Sequence, residues 1–200
     1  MVAGNCAILK PSEIAGLSCM FLGKLAKDVG IPEGVFSVVT GDRETGAALV
    51  ASSSVSMVSF TGSSLTGSKI MEASAPKLSQ VALELGGKSA MVIFEDTDIE
   101  RAVEATIKGC LTNGGQICTA HTRLIVQEGI KDDLLKKLKN VLEKIPYCRD
   151  PITERERGDR AWETGVTDVI QPVVSASQHE KILGFLNKVE AAGIEIYTGG

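Results

Sequence analysis

Residues 55–85, VSMVSFTGSSLTGSKIMEASAPKLSQVALEL, contain two short apolar runs on either side of a polar segment with two glycines. The first run is Val55–Phe60 and the second is Val81–Leu85. Short β-branched or apolar runs that alternate with helical stretches are typical of parallel strand–helix–strand units. This stretch therefore predicts an α/β fold that is built on a parallel sheet.

The same alternation extends from this stretch towards both ends of the chain. Helices are predicted where Leu17, Phe21 and Leu25 share one face, after the capping residue Asp98, at residues 132–145 and around residues 182–189. The remaining predicted strands are Cys6–Leu9, Val35–Val39, Met91–Phe94, Arg123–Gln127 and Glu195–Tyr197.

The composition is that of a soluble globular protein, with 44% hydrophobic and 23% charged residues. A net charge of -4 argues against nucleic acid as a partner, because phosphate binding needs a basic surface. The longest uncharged stretch, residues 45–68, is rich in serine and lacks the roughly 20 apolar residues of a membrane span. We therefore expect no membrane partner.

The N-terminus has neither the basic region nor the apolar region of a secretory signal, so the expected location is intracellular. The cytoplasm, a peroxisome or a plastid would each fit. The cysteines are odd in number and show no CxxC spacing, which favours reduced thiols and predicts no metal site. They are Cys6, Cys19, Cys110, Cys118 and Cys148. The two histidines, His121 and His179, are interpreted as surface residues.

Two polar clusters follow predicted strands in the first half of the chain. Lys10-Pro11-Ser12-Glu13 lies directly after the first strand, where open α/β sheets bind ligands. Residues 60–67 supply glycines, hydroxyls and helix N-terminal amides that suit phosphate, without forming a GxGxxG fingerprint. An ordinary helix start and a plain strand-to-helix turn are the alternatives.

Two further clusters carry groups suited to catalysis. Residues 83–89 contain Glu84 near the end of an apolar run, where partial desolvation would suit a general base. Residues 113–120 present Cys118 on a loop after a predicted helix, a position that favours reactive groups. The alternatives are an exposed carboxylate at a strand edge and a core cysteine.

Taken together and in this order, the four clusters resemble the signatures of the aldehyde dehydrogenase superfamily. The resemblance covers residues 1–148 and resumes from Gln171 to Gly200. It implies that residues 1–85 form the C-terminal part of a Rossmann-like, parallel-sheet NAD-binding domain. Residues 86–200 would form the N-terminal part of an α/β catalytic domain that carries a thiol nucleophile.

The resemblance also implies roles for individual residues. Cys118 corresponds to the nucleophile and Glu84 to the general base, and no residue is assigned to a metal. The cofactor is expected to be NAD, with NADP as the alternative. The residues that correspond to cofactor contacts are Lys10, Ser12, Glu13, Gly41, Gly62, Ser63, Thr66 and the backbone of Leu85.

The implied reaction is the oxidation of a small-molecule aldehyde to a carboxylic acid. The Cys118 thiolate adds to the aldehyde to form a thiohemiacetal, a hydride passes to NAD, and water activated by Glu84 hydrolyses the resulting thioester. Several segments resemble plant-type betaine-aldehyde and aminoaldehyde dehydrogenases, which implies small cationic substrates and, for the intact form, a homo-oligomer. They are Cys19, residues 30–34, Glu95-Asp96 and residues 115–118.

Two other functions stay open from the sequence. One is a truncated family member that keeps the scaffold, lacks activity and serves as a binding protein. The other is an acylating aldehyde dehydrogenase, in which coenzyme A or phosphate replaces water as the acyl acceptor. Glu84 argues against the second, since a positioned base implies hydrolysis.

The chain departs from the family pattern at two places. The asparagine that the family uses in its oxyanion hole is not among these 200 residues, and losing such a donor typically costs about 100 to 1,000-fold in rate. We therefore expect the chain to be an internal fragment that is inactive alone. The charged segment Arg149–Asp168, which contains Trp162, stands where the family has a shorter link. It is interpreted as an insertion, a gene-model error or a binding loop.

Overall fold

Three separate pairs of parallel strands organise the computed structural model, which describes residues 1–147 and 170–199. The chain divides into two units, Met1–Leu85 and Gly86–Gly200. Two of the strand pairs lie in the first unit and the third lies in the second. The assignment of these units to a cofactor domain and a catalytic domain stays a prediction.

The first strand pair joins β1 (Ala7–Leu9) to β2 (Phe36–Val38), and α1 (Leu17–Asp28) connects them. A parallel pair needs such a crossover because the chain must return to the starting end of the sheet. Gly23 lets α1 approach β2 closely, since a β-carbon there would lie 3.0 Å from Val38. The apolar face of α1 that carries Phe21 is exposed.

The second strand pair joins β3 (Met57–Gly62) to β4 (Gln80–Leu85) through α3 (Ser64–Ser74). The helix packs tightly against β4 at Gly67, where a β-carbon would lie 2.8 Å from a methyl group of Leu85. This close approach fixes the start of α3 beside the carboxyl ends of both strands. The predicted strand–helix–strand unit is confirmed.

A short helix that the sequence analysis missed, α2 (Arg43–Ala51), lies between β2 and β3. Asp42 caps it, because its carboxylate accepts the backbone N–H groups of Glu44 and Thr45. The missed signal was this aspartate followed by an acidic first turn.

The second unit contains β5 (Ala90–Ile93) and β6 (Arg123–Val126), a parallel pair connected by α4 (Ile99–Leu111). Asp98 caps α4 through the N–H groups of Glu100 and Arg101, as predicted. Two further helices follow among the described residues, α5 (Lys131–Leu142) and α6 (Ala176–Ala191). The core lies between β5, α4 and α5, and its buried residues are Ile93, Ala102, Val103, Leu134 and Leu138.

The predicted strand at Glu195–Tyr197 is wrong. The chain has no regular structure there, because no strand in the described part of the molecule pairs with it. Side chains hold this segment on α5 instead: the Lys139 ammonium lies 5.0 Å from the centre of the Tyr197 ring, and Thr198 donates to Glu143 at 3.5 Å. The other predicted strands are confirmed within two residues at each end.

None of the helices among residues 1–147 and 170–199 has the length and apolar character needed to cross a membrane. The interpretation of Arg149–Asp168 and the state of Cys148 lie outside the described residues.

We predict that Leu134→Ala lowers the free energy of unfolding by about 2 to 5 kcal/mol, because Leu134 is fully buried and truncation leaves a cavity. Leu183→Ala is the matched control, since Leu183 is 45% exposed in the same unit and should cost less than about 1 kcal/mol. Urea denaturation followed by circular dichroism measures both, and equal losses would contradict this location of the core.

Candidate active site

Cys118 is exposed in a tight turn that follows α4. Ala120 N–H donates to the carbonyl of Ile117 at 3.1 Å and closes the turn around the thiol. Immediately afterwards, His121 N–H donates to the carbonyl of Gly109 in α4 at 2.8 Å. The backbone after the cysteine is therefore anchored to the end of a core helix.

The backbone before the cysteine turns through three consecutive left-handed residues, Asn113, Gly114 and Gly115, with φ between 56° and 75°. Asparagine and glycine are the residues that adopt this conformation at the lowest cost. A β-carbon at Gly114 would lie 3.0 Å from the carbonyl oxygen of Gln171. The paired glycines of the motif thus allow both the turn and a close backbone contact.

His121 is half-buried, which corrects its interpretation as a surface residue, whereas His179 is exposed as predicted. The imidazole of His121 occupies the space that a side chain at position 109 would need. A β-carbon at Gly109 would lie 3.0 Å from Cγ of His121. His121 Nδ1 is buried without a hydrogen-bond partner among the described residues. Sequence reasoning missed this because the space comes from a glycine twelve positions earlier in the chain.

The two cysteines nearest the turn differ in their surroundings. Burial raises the pKa of the Cys110 thiol, because desolvation disfavours the thiolate. Cys118 is exposed, so the alternative that it is a core cysteine is wrong, while Cys110 is half-buried. Of these two thiols, Cys118 is the accessible one.

Glu84 lies at the carboxyl end of β4 and is exposed. The expected partial desolvation of its side chain is therefore not observed. Leu83 and Leu85 pack towards Gly67 of α3, so Glu84 between them points to the other face of the sheet, where it is exposed. Glu84 and Cys118 belong to different units, and their pairing in one site stays a prediction.

The structure brings Lys10 and Gly41, two of the predicted cofactor contacts, together at the carboxyl ends of β1 and β2. Lys10 Nζ donates to the carbonyl of Gly41 at 2.7 Å and to that of Pro11 at 3.0 Å. Gly41 has φ 150°, and a β-carbon there would lie 2.7 Å from Cβ of Thr45. Residues other than glycine are thus excluded at position 41, because the backbone conformation is unfavourable for them and the side chain of Thr45 fills the space. Ser12 and Glu13 are exposed on the loop that leads to α1.

The other predicted cofactor contacts meet at the carboxyl ends of β3 and β4. Thr61 lies opposite Glu84 and Gly62 lies opposite Leu85 in the register of the pair. Ser63 then caps α3: its hydroxyl accepts Thr66 N–H at 3.3 Å and lies 3.0 Å from the Thr66 hydroxyl.

This arrangement suits a dinucleotide, because the first amides of α3 and two exposed hydroxyls face the strand ends where α/β sheets bind phosphate. The described residues contain no group of three or more metal-binding side chains.

Comparisons with known proteins agree with these features. The aldehyde dehydrogenase family matches residues 1–200. The peroxisomal aminoaldehyde dehydrogenase 2 of Pisum sativum is 45% identical over 201 residues, which cover all of this chain and 37% of that protein. The chloroplastic betaine aldehyde dehydrogenase of Beta vulgaris is 41% identical over 205 residues, which cover all of this chain and 38% of that protein.

Solved structures show the same similarity. Betaine aldehyde dehydrogenase from Staphylococcus aureus in complex with NAD+ superposes with a TM-score of 0.85 at 32% identity, covering 97% of this chain and 36% of that one. The NAD-dependent aldehyde dehydrogenase from Sinorhizobium meliloti gives 0.84 at 35% identity, covering 94% of this chain and 35% of that one. The chain therefore spans little more than a third of the length of its relatives.

We predict that iodoacetamide labels Cys118 and Cys6 before Cys110 near neutral pH. The thiolate is the reactive form, and burial both shields Cys110 and raises its pKa, so its labelling should increase only in more alkaline solution. Peptide mass spectrometry of timed samples measures the order. Exposed Cys6 is the internal control, and labelling of Cys110 at the rate of Cys6 would contradict the prediction.

Proposed function

The chain belongs to the aldehyde dehydrogenase family, and we propose that its protein oxidises an aldehyde to a carboxylic acid with NAD. Cys118 is the proposed nucleophile and Glu84 the proposed general base. The observation that carries the proposal is the exposed Cys118 thiol in a turn whose backbone is fixed to α4 on its C-terminal side.

The proposed substrates are aminoaldehydes or betaine aldehyde. This choice is supported by the names of the plant relatives, which are aminoaldehyde and betaine aldehyde dehydrogenases. These relatives are also named as peroxisomal or chloroplastic, which supports an intracellular location for this protein. We further propose that the whole protein assembles as a homo-oligomer.

The residues at the strand ends would hold NAD. Ser63, Thr66 and the N-terminal amides of α3 would bind the pyrophosphate, because the positive end of the helix dipole favours anions. Lys10 donates two of its three N–H groups to backbone carbonyls, which leaves the third N–H for a ribose hydroxyl. A carboxylate at Glu13 would repel a 2′-phosphate and so favour NAD over NADP.

The reaction begins when the Cys118 thiolate forms a bond from Sγ to the aldehyde carbon and gives a thiohemiacetal. When bound, NAD supplies the acceptor for the hydride that leaves this carbon. Glu84 then takes a proton from water as the water oxygen bonds to the thioester carbon. The carbon–sulfur bond breaks, the acid departs, and the electron pair returns to Cys118 as thiolate. Glu84 releases its proton to solvent and is again a carboxylate.

We predict that Cys118→Ala in the full-length protein abolishes aldehyde-dependent NADH formation and leaves NAD binding intact. Loss of the thiol removes the covalent step while the strand ends of the first unit are untouched. NADH absorbance and calorimetric titration with NAD measure the two properties. Cys6→Ala is the matched control, since Cys6 is also an exposed free cysteine and should keep full activity. Full activity in Cys118→Ala would refute the proposed nucleophile.

We predict that Glu84→Gln slows turnover by about 100 to 10,000-fold, because the loss of a general base leaves the thioester unhydrolysed. A rapid-mixing trace should show a burst of NADH, and mass spectrometry should find the acyl group on Cys118. Glu72→Gln is the control, as Glu72 is an exposed glutamate in the same unit. Wild-type turnover in Glu84→Gln would exclude Glu84 as the base, and formation of acyl-CoA or acyl phosphate by the unaltered protein would favour acyl transfer.

A further inference from the structure

The side chain of Gln116, two residues before Cys118, joins two distant segments of the second unit. Its Nε2 donates to the carbonyls of Asn113 at 3.1 Å and Pro172 at 3.2 Å. Its Oε1 accepts the backbone N–H of Val174 at 2.7 Å. One side chain thus bonds the carbonyl before Val173 and the N–H after it, as a neighbouring strand would.

This pattern requires a group that both donates and accepts. A backbone N–H can only donate, so the amide oxygen must face Val174 and the NH₂ group must face the two carbonyls. A carboxylate at position 116 could accept from Val174 but would place a negative oxygen against the carbonyls of Asn113 and Pro172. A methionine of similar length would offer neither bond.

The bonded segment is itself well defined. Val174 is followed by Ser175, whose hydroxyl accepts Gln178 N–H at 3.2 Å and caps α6. Gly114 makes a second close approach to this segment at the carbonyl of Gln171. The backbone before Cys118 therefore contacts residues 171–174, which lead into α6, while the backbone after it is anchored to α4.

We propose that Gln116 is a positioning residue for Cys118, because its amide ties the turn that carries the thiol to the backbone of residues 172–174. This inference rests on the proposed function of Cys118 as the nucleophile. Gln116 does not touch the reacting atoms. It acts by fixing the backbone from which Cys118 projects, since a displacement near 1 Å at a reacting group costs about 100-fold in rate.

The test uses the full-length protein with Gln116→Met and Gln116→Glu. Both variants should lower kcat with an aminoaldehyde by about 10 to 100-fold and leave KM for NAD unchanged. Acid should partly rescue only Gln116→Glu, because a protonated carboxyl group again offers one donor and one acceptor in the shape of the amide. The deficit of Gln116→Met should stay constant across the pH range.

Gln127→Met is the matched control. The Gln127 amide also bonds a backbone group in the second unit, since its Oε1 accepts Glu95 N–H at 3.0 Å, but it lies away from the cysteine turn. This variant should keep the wild-type kcat. Equal losses of kcat in the Gln116 and Gln127 variants would overturn the proposal, because they would indicate general destabilisation.

A readout without catalysis separates this inference from the proposed function. Hydrogen exchange at the Val174 amide should be faster in Gln116→Met than in the wild type and unchanged in Gln127→Met. If exchange accelerates while the unaltered protein oxidises no aldehyde, the proposed function fails and the contact stands. Unchanged exchange at Val174, or wild-type kcat in Gln116→Met, would overturn the role of Gln116.

Discussion

Because each described strand pair is parallel, a helix must carry the chain back, and both strands of a pair end at the same edge. The register of β3 and β4 then determines which residues meet there: Gly62 lies opposite Leu85. The close packing of α3 at Gly67 directs its N-terminus towards that edge. The same constraint brings Lys10 to Gly41 at the ends of β1 and β2. Polar groups that lie far apart in the sequence of the first unit thus meet at the strand ends, and Lys10 and Gly41 are joined there by a hydrogen bond.

In the second unit, a different constraint controls the position of the thiol. The chain leaves α4 through left-handed residues, turns around Cys118 and returns to α4 through the bond between His121 and Gly109. An exposed thiol would ordinarily be held weakly. Here backbone hydrogen bonds and the Gln116 amide tie down the turn that carries it, so Cys118 is exposed and yet lies in a defined turn.

Sequence reasoning found the features that depend on local pattern. Five of the six described helices and all six described strands could be predicted, because apolar spacing and caps such as Asp98 are local signals. It failed where the structure of a segment depends on which other segments pair with it or cover it. Residues 195–197 have strand-forming residues but no strand to pair with, and Glu84 follows an apolar run but lies in a sheet with an uncovered face.

The candidate site likewise has features that the local sequence indicates and features that depend on contacts between distant residues. The types of the residues at positions 84 and 118 indicate chemistry, and the resemblance of their motifs to a family assigns them roles. The contact between Gln116 and residues 172–174 spans more than 50 positions and involves backbone groups that every sequence contains. No pattern of residue types can reveal it, because a carbonyl and an N–H carry no side-chain signature. The glutamine at position 116 can therefore be read from the sequence, while the backbone groups that its amide bonds are visible only in the fold.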